Sequence, residues 1–311
     1  MAISASMVKE LREKTGAGMM DCKKALTNTD GDMDKAVEWL RENGLAKAEK
    51  KAGRIAAEGI VKTFISADGK NASMVEVNSE TDFVAKNDKF QDFVGDVVEQ
   101  INGSAAEDVE AFLAEAWAKD SSKTVKEELA SMVATIGENM NIRRFAKLSA
   151  DNGVVVDYIH AGGKIGVLIA AETDNTGDEV VECLKNVAMQ IAAMNPEYLS
   201  ADDVSEEYKE KEKKILLEQA KNDPKNAGKP ENIIEKMIIG RLNKELKEVC
   251  LTEQVYVKAE NKETVAKYVE SVAKAVGCSL KLTGFVRYET GEGLEKKEED
   301  FAAEVAAQMN A

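Results

Sequence analysis

Ser73-Met74-Val75-Glu76-Val77-Asn78-Ser79-Glu80-Thr81-Asp82-Phe83-Val84-Ala85-Lys86-Asn87 runs from an apolar strand into an acidic loop, and its reading decides the fold. The loop sets a bulky Phe beside an acid just past the strand end, where a side chain can face outward. Two readings of Phe83 are open. It folds back as a plug for the core, or it serves a partner, since single exposed apolar residues occur in ordinary surfaces too.

Working outward, the same pattern occurs twice. Glu58-Gly59-Ile60-Val61 stands beside Asn152-Gly153-Val154-Val155, and ten residues past each Gly comes Gly-Lys, at Gly69-Lys70 and Gly163-Lys164. Each copy then has an apolar strand ending in Glu-Thr-Asp, at Glu80-Thr81-Asp82 and Glu172-Thr173-Asp174. Thr124-Val125 matches Thr264-Val265, Gly137 matches Gly277, and Phe145 matches Phe285. Each half therefore reads as strand, turn, strand, helix, helix, strand. The predicted class is α+β, with two related subdomains, each an antiparallel sheet packed with helices. In this alignment Asn175 stands where the first copy has Phe83, so the scaffold is shared and the ring is not. A side chain the fold does not require points to a partner.

The offset between copies is 94 at the first Gly pair, 92 at the Glu-Thr-Asp loops and 140 at the Thr-Val pairs; from 140 minus 92 the second copy holds about 48 more residues, near 196–243. All three prolines lie there, at Pro196, Pro224 and Pro230. Val204, Tyr208, Ile215 and Gln219 stripe one predicted helix; Ile234, Met237, Ile238, Leu242 and Val249 stripe a second. The tip at 222–230 cannot continue a helix, so the insert reads as an antiparallel helical hairpin.

Residues 1–44 read as three short helices. Met7, Val8 and Leu11 share a face of the first, and Thr15-Gly16-Ala17-Gly18-Met19-Met20-Asp21 forms a turn with two exposed-looking Met. Asp32 is the expected cap of the third helix and Gly44 its expected end. Lys47–Arg54 is a basic stretch that reads as a solvated linker helix. Glu298–Met309 reads as a short helix with Phe301, Val305 and Met309 spaced i, i+4, i+8. The expected units are 1–54 (three helices and linker), 55–149 (first subdomain, carrying the Phe83 loop), 150–284 (second subdomain, hairpin at about 197–243) and 285–311 (strand end and helical module).

The 311 residues carry a formal net charge of −15, so a phosphate backbone repels the chain and nucleic acid is not an expected direct partner. No run is long and apolar enough for a membrane span, and no targeting segment is read at Met1, which gives an expectation of a cytoplasmic protein. The four Cys are scattered and the single His160 has no triad or metal partners, so neither a metal nor a cofactor is expected. Gly16-Ala17-Gly18 lacks the strand and third Gly of a dinucleotide fingerprint, and Gly162-Gly163-Lys164-Ile165 fails as a phosphate loop at Tyr158 and Ile165. No catalytic constellation is present in the motifs, which favours action by binding.

Three stretches carry a resemblance: Val8–Leu26, Thr81–Asn87 and Ile136-Gly137-Glu138-Asn139-Met140-Asn141-Ile142-Arg143-Arg144. In order and spacing they resemble the elongation factor Ts family, the guanine-nucleotide exchange factors of elongation factor Tu. The resemblance implies a non-enzymatic translation factor with an N-terminal domain like ubiquitin-associated domains, a two-subdomain core, a helical hairpin and a C-terminal module. It implies contact of Arg12, Met19, Met20 and Lys23 with the nucleotide-binding domain of Tu. It implies insertion of Phe83, on the Thr81-Asp82-Phe83-Val84 loop, between helices on the magnesium side of that domain. Ile136 and Gly137 would lie by this contact, while His160 and Val257 would face another domain of Tu or support that contact. A 2:2 assembly with Tu through the second subdomain is compatible with it. Departures from the family pattern are Ser79, where many members have Cys, Lys258 beside Val257, and a longer hairpin tip. Three rivals have distinct marks: an adaptor whose binding depends on Met19 and Met20 alone, an enzyme with a bound cofactor, and an RNA-binding factor with steep salt dependence.

Overall fold

A computed structural model describes residues 3–223, 226 and 229–295. The helix expected over 298–309 and part of the hairpin tip lie outside these residues.

Helices α1 (Ala5–Thr15), α2 (Met19–Asn28) and α3 (Met33–Lys51) close around Val8, Leu11, Cys22, Ala25, Leu26 and Ala36. Ser4 caps α1, and Asp32 caps α3 by accepting the Lys35 N–H at 3.1 Å. Gly44 does not end α3, contrary to the sequence reading. The helix runs seven residues further, to Lys51, and Gly44 is buried where a β-carbon would lie 3.8 Å from the Ala130 carbonyl oxygen and 3.9 Å from the Ala134 Cβ. The missing side chain is used for close helix packing, not for a left-handed stop. Lys47–Lys51 of the basic stretch are accordingly the last part of α3 and not a separate linker helix, and Ala52–Arg54 follow its end.

The first subdomain contains β1 (Glu58–Ile65), β2 (Asn71–Ser79), α4 (Asp82–Ala85), α5 (Asp88–Gly103), α6 (Val109–Ala114), β3 (Ala116–Trp117), β4 (Asp120–Thr124), α7 (Val125–Ile136) and β5 (Met140–Ser149). The second contains β6 (Gly153–His160), β7 (Ile165–Thr173), α8 (Asp178–Met194), α9 (Glu206–Asn222), α10 (Glu231–Val249), α11 (Val265–Val276) and β8 (Leu280–Glu289). The sheets are antiparallel with matching orders, β1-β2-β5 and β6-β7-β8. Strand β8 runs without a break through residues 284 and 285, pairing Glu289 with Ile165.

Alternation along the central strands sorts side chains into two cores. Val75 and Val77 face the helices of the first subdomain, with Phe90, Val94 and Val97 of α5. Val167, Ile169 and Ala171 do the same in the second, with Leu184, Val187 and Ile191 of α8. The intervening Met74, Leu168 and Ala170 meet Val61, Ala72 and Val155 in a third cluster between the sheets. The result is four layers, helix–sheet–sheet–helix, and both central strands are buried on two faces.

The insert is an antiparallel pair, α9 and α10, with Ala220, Ile238 and Leu242 buried along the seam and Tyr208 donating to the Glu245 carboxylate at 3.1 Å. Ile215 and Gln219 face solvent instead, because a two-helix seam admits only a narrow stripe and Ala220 takes the inner position. Helix α10 continues past residue 243 to Val249, whose carbonyl accepts the Glu197 and Tyr198 N–H groups and closes the neck.

Candidate functional site

The strand β2 ends at Ser79, and Thr81 then starts the one-turn helix α4 by accepting the Val84 N–H on Oγ1 at 3.3 Å. Val84 and Ala85 turn inward and are buried. Phe83 points the other way and is 80% exposed, so the core-plug reading does not hold. Asn87 caps α5 directly afterwards, leaving no slack in the turn. Asp82 pairs with Lys86 at 2.6 Å. That hydrogen bond, aided by the nearby charge of Lys164, holds the Asp82 carboxyl below its ordinary range.

A second loop grips the first. Glu138 accepts the Thr81 N–H at 3.0 Å and the Thr81 hydroxyl at 2.7 Å, one on each carboxylate oxygen. Glu80 in turn accepts the Asn139 N–H at 2.5 Å. Ile136 packs partly buried on the core and Gly137 turns left-handed at φ 96°, which brings Glu138 back over α4. The Gly137 carbonyl receives the Lys51 ammonium, and the Asn139 amide donates to the Arg54 carbonyl at 2.8 Å, so the end of α3 meets the same turn.

The hydrogen bonds correct the alignment of the two copies. Glu80 accepts from Asn139 as Asp174 accepts from Ser279, and the Ser79 hydroxyl donates to the Thr81 carbonyl as the Thr173 hydroxyl donates to that of Asn175. The copies therefore match at an offset of 94 here, as in the paired strands, and not 92. In the helices the buried set Phe90, Phe93, Val94, Val97, Val98 and Ile101 matches Val180, Cys183, Leu184, Val187, Ala188 and Ile191 at an offset of 90. The difference is four residues, the length of α4 (Asp82–Ala85). Asn175 is not the counterpart of Phe83. The second copy has no such turn at all.

The remaining predicted residues fall in three places. Met19 and Met20 open α2, 59% and 65% exposed, with Arg12 and Lys23 exposed on the same small domain. His160 ends β6, exposed, with its Nδ1 2.9 Å from the Tyr158 hydroxyl; the following turn brings Lys164 to Glu58 and toward Asp82. The structure thus puts the His160 turn beside the Phe83 turn. Val257 is 51% exposed, beside the exposed Val255, and the buried Gln190 holds both: its side chain accepts the Val257 N–H at 2.9 Å and donates to the Val255 carbonyl at 3.2 Å. Lys258 folds back to Asn186 at 2.6 Å.

Sequence reading missed Glu80, Glu138 and Gln190 as supports. The first two stand inside quoted motifs, but only folding reveals a bond spanning 57 residues. Among the described residues no group of three or more His, Cys, Asp or Glu side chains could hold a metal, and no helix is long and apolar enough to cross a membrane. Cys183 is buried, and burial raises its thiol to about 11, far from a nucleophile.

The fold and the site define a class: a duplicated α+β factor with a three-helix domain in front and one aromatic side chain displayed on a braced turn. A family model described as Elongation factor TS matches residues 80–292, and one described as Elongation factor Ts, mitochondrial, N-terminal matches residues 1–49. Relatives named Elongation factor Ts include those of Clostridium novyi (strain NT), 54% identical over 308 residues and 99% of both chains, and Clostridium botulinum (strain ATCC 19397 / Type A), 53% over the same span. That of Clostridium perfringens (strain ATCC 13124) is 55% identical over 304 residues, 98% of both. The chain belongs to the elongation factor Ts family, and its role is that of a translation elongation factor.

Proposed function

We propose that this protein is the guanine-nucleotide exchange factor for elongation factor Tu in the cytoplasm and acts by binding, with no bond chemistry of its own. The observation that carries the reading is Phe83, 80% exposed on a turn that the duplicated scaffold does without. A GTPase holds GDP through phosphate-loop N–H groups and a magnesium ion. A ring driven between two helices of that domain displaces the groups that support both, and GDP affinity falls without any covalent step. Thr81, Asp82 and Val84 form the turn, and Ile136 and Gly137 flank it. Arg12, Met19, Met20 and Lys23 extend the contact from the N-terminal domain. His160 and Val257 serve a second domain of Tu, and the second subdomain provides the surface for a 2:2 assembly.

Linkage makes the effect reciprocal: this protein weakens GDP on Tu by the factor GDP weakens this protein on Tu. The test is release of a fluorescent GDP analogue from Tu with substoichiometric amounts of the protein. Catalytic acceleration is expected, and Phe83→Ala should slow it by more than about tenfold while some binding to Tu survives, because one central aromatic dominates such contacts. Unchanged release with folded wild-type protein sinks the reading.

A further inference from the structure

The duplication separates supports that belong to the scaffold from supports that belong to the Phe83 turn. Glu80 accepting the Asn139 N–H is scaffold, because Asp174 and Ser279 repeat it in the second copy. Glu138 has no such repeat. At the same offset of 140 that relates Asn139 to Ser279, its counterpart is Cys278, and the counterpart of Thr81 is Asn175. The carboxylate occurs only in the copy that carries α4.

The structure assigns Glu138 as the positioning residue of the Phe83 turn. Both its oxygens are engaged by Thr81, one by the N–H and one by the hydroxyl. The same Thr81 Oγ1 accepts the Val84 N–H. The bonds form a chain from the Glu138 carboxylate through the Thr81 hydroxyl into the first turn of α4, and a hydroxyl that donates to an anion is a better acceptor for the next N–H. Phe83 lies between the capping residue and the amide it caps, so the direction of its ring follows from that chain. Glu138 follows Gly137, whose carbonyl holds Lys51 of α3, so one turn braces the aromatic and also ties down the helix that carries the N-terminal domain. Glu138 acts through Thr81 and need not touch a partner itself.

This assignment rests on the exchange reading for its functional consequence, but its structural part can be read without Tu. Glu138→Ala in the full chain should raise amide hydrogen exchange at Val84–Asn87 by about tenfold or more, while α5 and the strands keep wild-type protection. Thr81→Val, which removes the hydroxyl at nearly constant volume, should do the same; Thr81→Ser, which keeps it, should not. In the GDP-release assay Glu138→Ala should slow exchange by about tenfold, and the loss should vanish in a Phe83→Ala background, since a residue acting through the ring has nothing left to position. Equal losses with and without Phe83, or unchanged exchange at Val84–Asn87, would overturn the assignment. If wild-type protein fails to accelerate release, the exchange reading falls and hydrogen exchange alone decides whether Glu138 sets the turn.

Discussion

Arg41 on α3 grips Glu127 on α7 through two parallel hydrogen bonds of 2.9 and 2.5 Å. The same carboxylate accepts the Thr124 N–H at 2.7 Å and so completes the capping box that starts α7. Docking of the N-terminal domain and nucleation of a core helix therefore share one side chain, 86 residues away from its partner.

That sharing predicts an acid dependence. The Arg41 hydrogen bond holds the Glu127 carboxyl below its ordinary range, against burial. A carboxyl lowered in the folded state contributes stability that is present above its unfolded value and lost as pH falls through the lowered one. The docking should weaken below about pH 4.5. Arg41→Ala should cost roughly 1 kcal/mol at neutral pH, since the pair is partly solvated, and should flatten the decline of melting temperature between pH 6 and pH 3. Parallel melting profiles for the two proteins would refute it.

Glu76 predicts a larger effect. It is fully buried and takes Arg143 at 3.0 Å, Arg144 at 2.6 Å and the Gly291 N–H at 2.8 Å. Burial is the strongest single influence on its carboxyl and acts upward, but the Gly291 N–H, the two arginines and Asn78 together bring it below the ordinary range. Glu76→Ala should cost about 3–5 kcal/mol, because two arginines and a buried N–H lose their partner. Urea unfolding measures this, and a loss under 1 kcal/mol would show that the segment after β8 is not anchored there.

Gly44 offers a test with two signs. A methyl at this position makes ordinary contacts at 3.8 and 3.9 Å, and Ala is the better helix former. Gly44→Ala should therefore be neutral or stabilise by up to about 1 kcal/mol. Gly44→Leu should force α3 off α7 and destabilise by about 1–3 kcal/mol. Thermal melts of the pair decide it, and a tolerated Leu would mean that the two helices are not closely packed.

Gly166 tests the interface between the sheets. A β-carbon there would lie 2.4 Å from the Val61 Cγ1 and 3.0 Å from the Met74 Sδ. Gly166→Ala should cost about 1–3 kcal/mol by prying the subdomains apart. Calorimetry is the direct measurement, and an unchanged melting temperature would argue against face-to-face sheets.

The alignment of the copies shows where sequence reading reaches its limit. Three identical residues, Glu-Thr-Asp, selected an offset of 92, yet loops repeat such residues readily because many of them cap helices. The strands follow 94 because a β-carbon on Gly59 or Gly153 would lie only 2.1 or 1.9 Å from the carbonyl oxygen of Val77 or Ala171, so only glycine fits at both positions, which pins the register. The displaced triplet hid the fact that the Phe83 turn is an addition to one copy. Gly44 failed for a related reason: a glycine inside a helical pattern is a stop or a packing contact depending on what lies opposite, and α7 is distant in the chain.

By itself the sequence determined the main strands and helices, the duplication, the inserted hairpin and the prominence of Phe83, since apolar periodicity, proline and local capping act over a few residues, but it did not show the short elements α4, α6, β3 and β4 of the first copy. Only the tertiary structure decided that both sheets are buried on two faces, that α3 continues to Lys51, and that Glu138 holds Thr81. Those depend on pairs 57 to more than 100 residues apart, such as Thr81 with Glu138, Arg41 with Glu127 and Val61 with Gly166. Their energies arise only when packing excludes water between groups the chain keeps far apart.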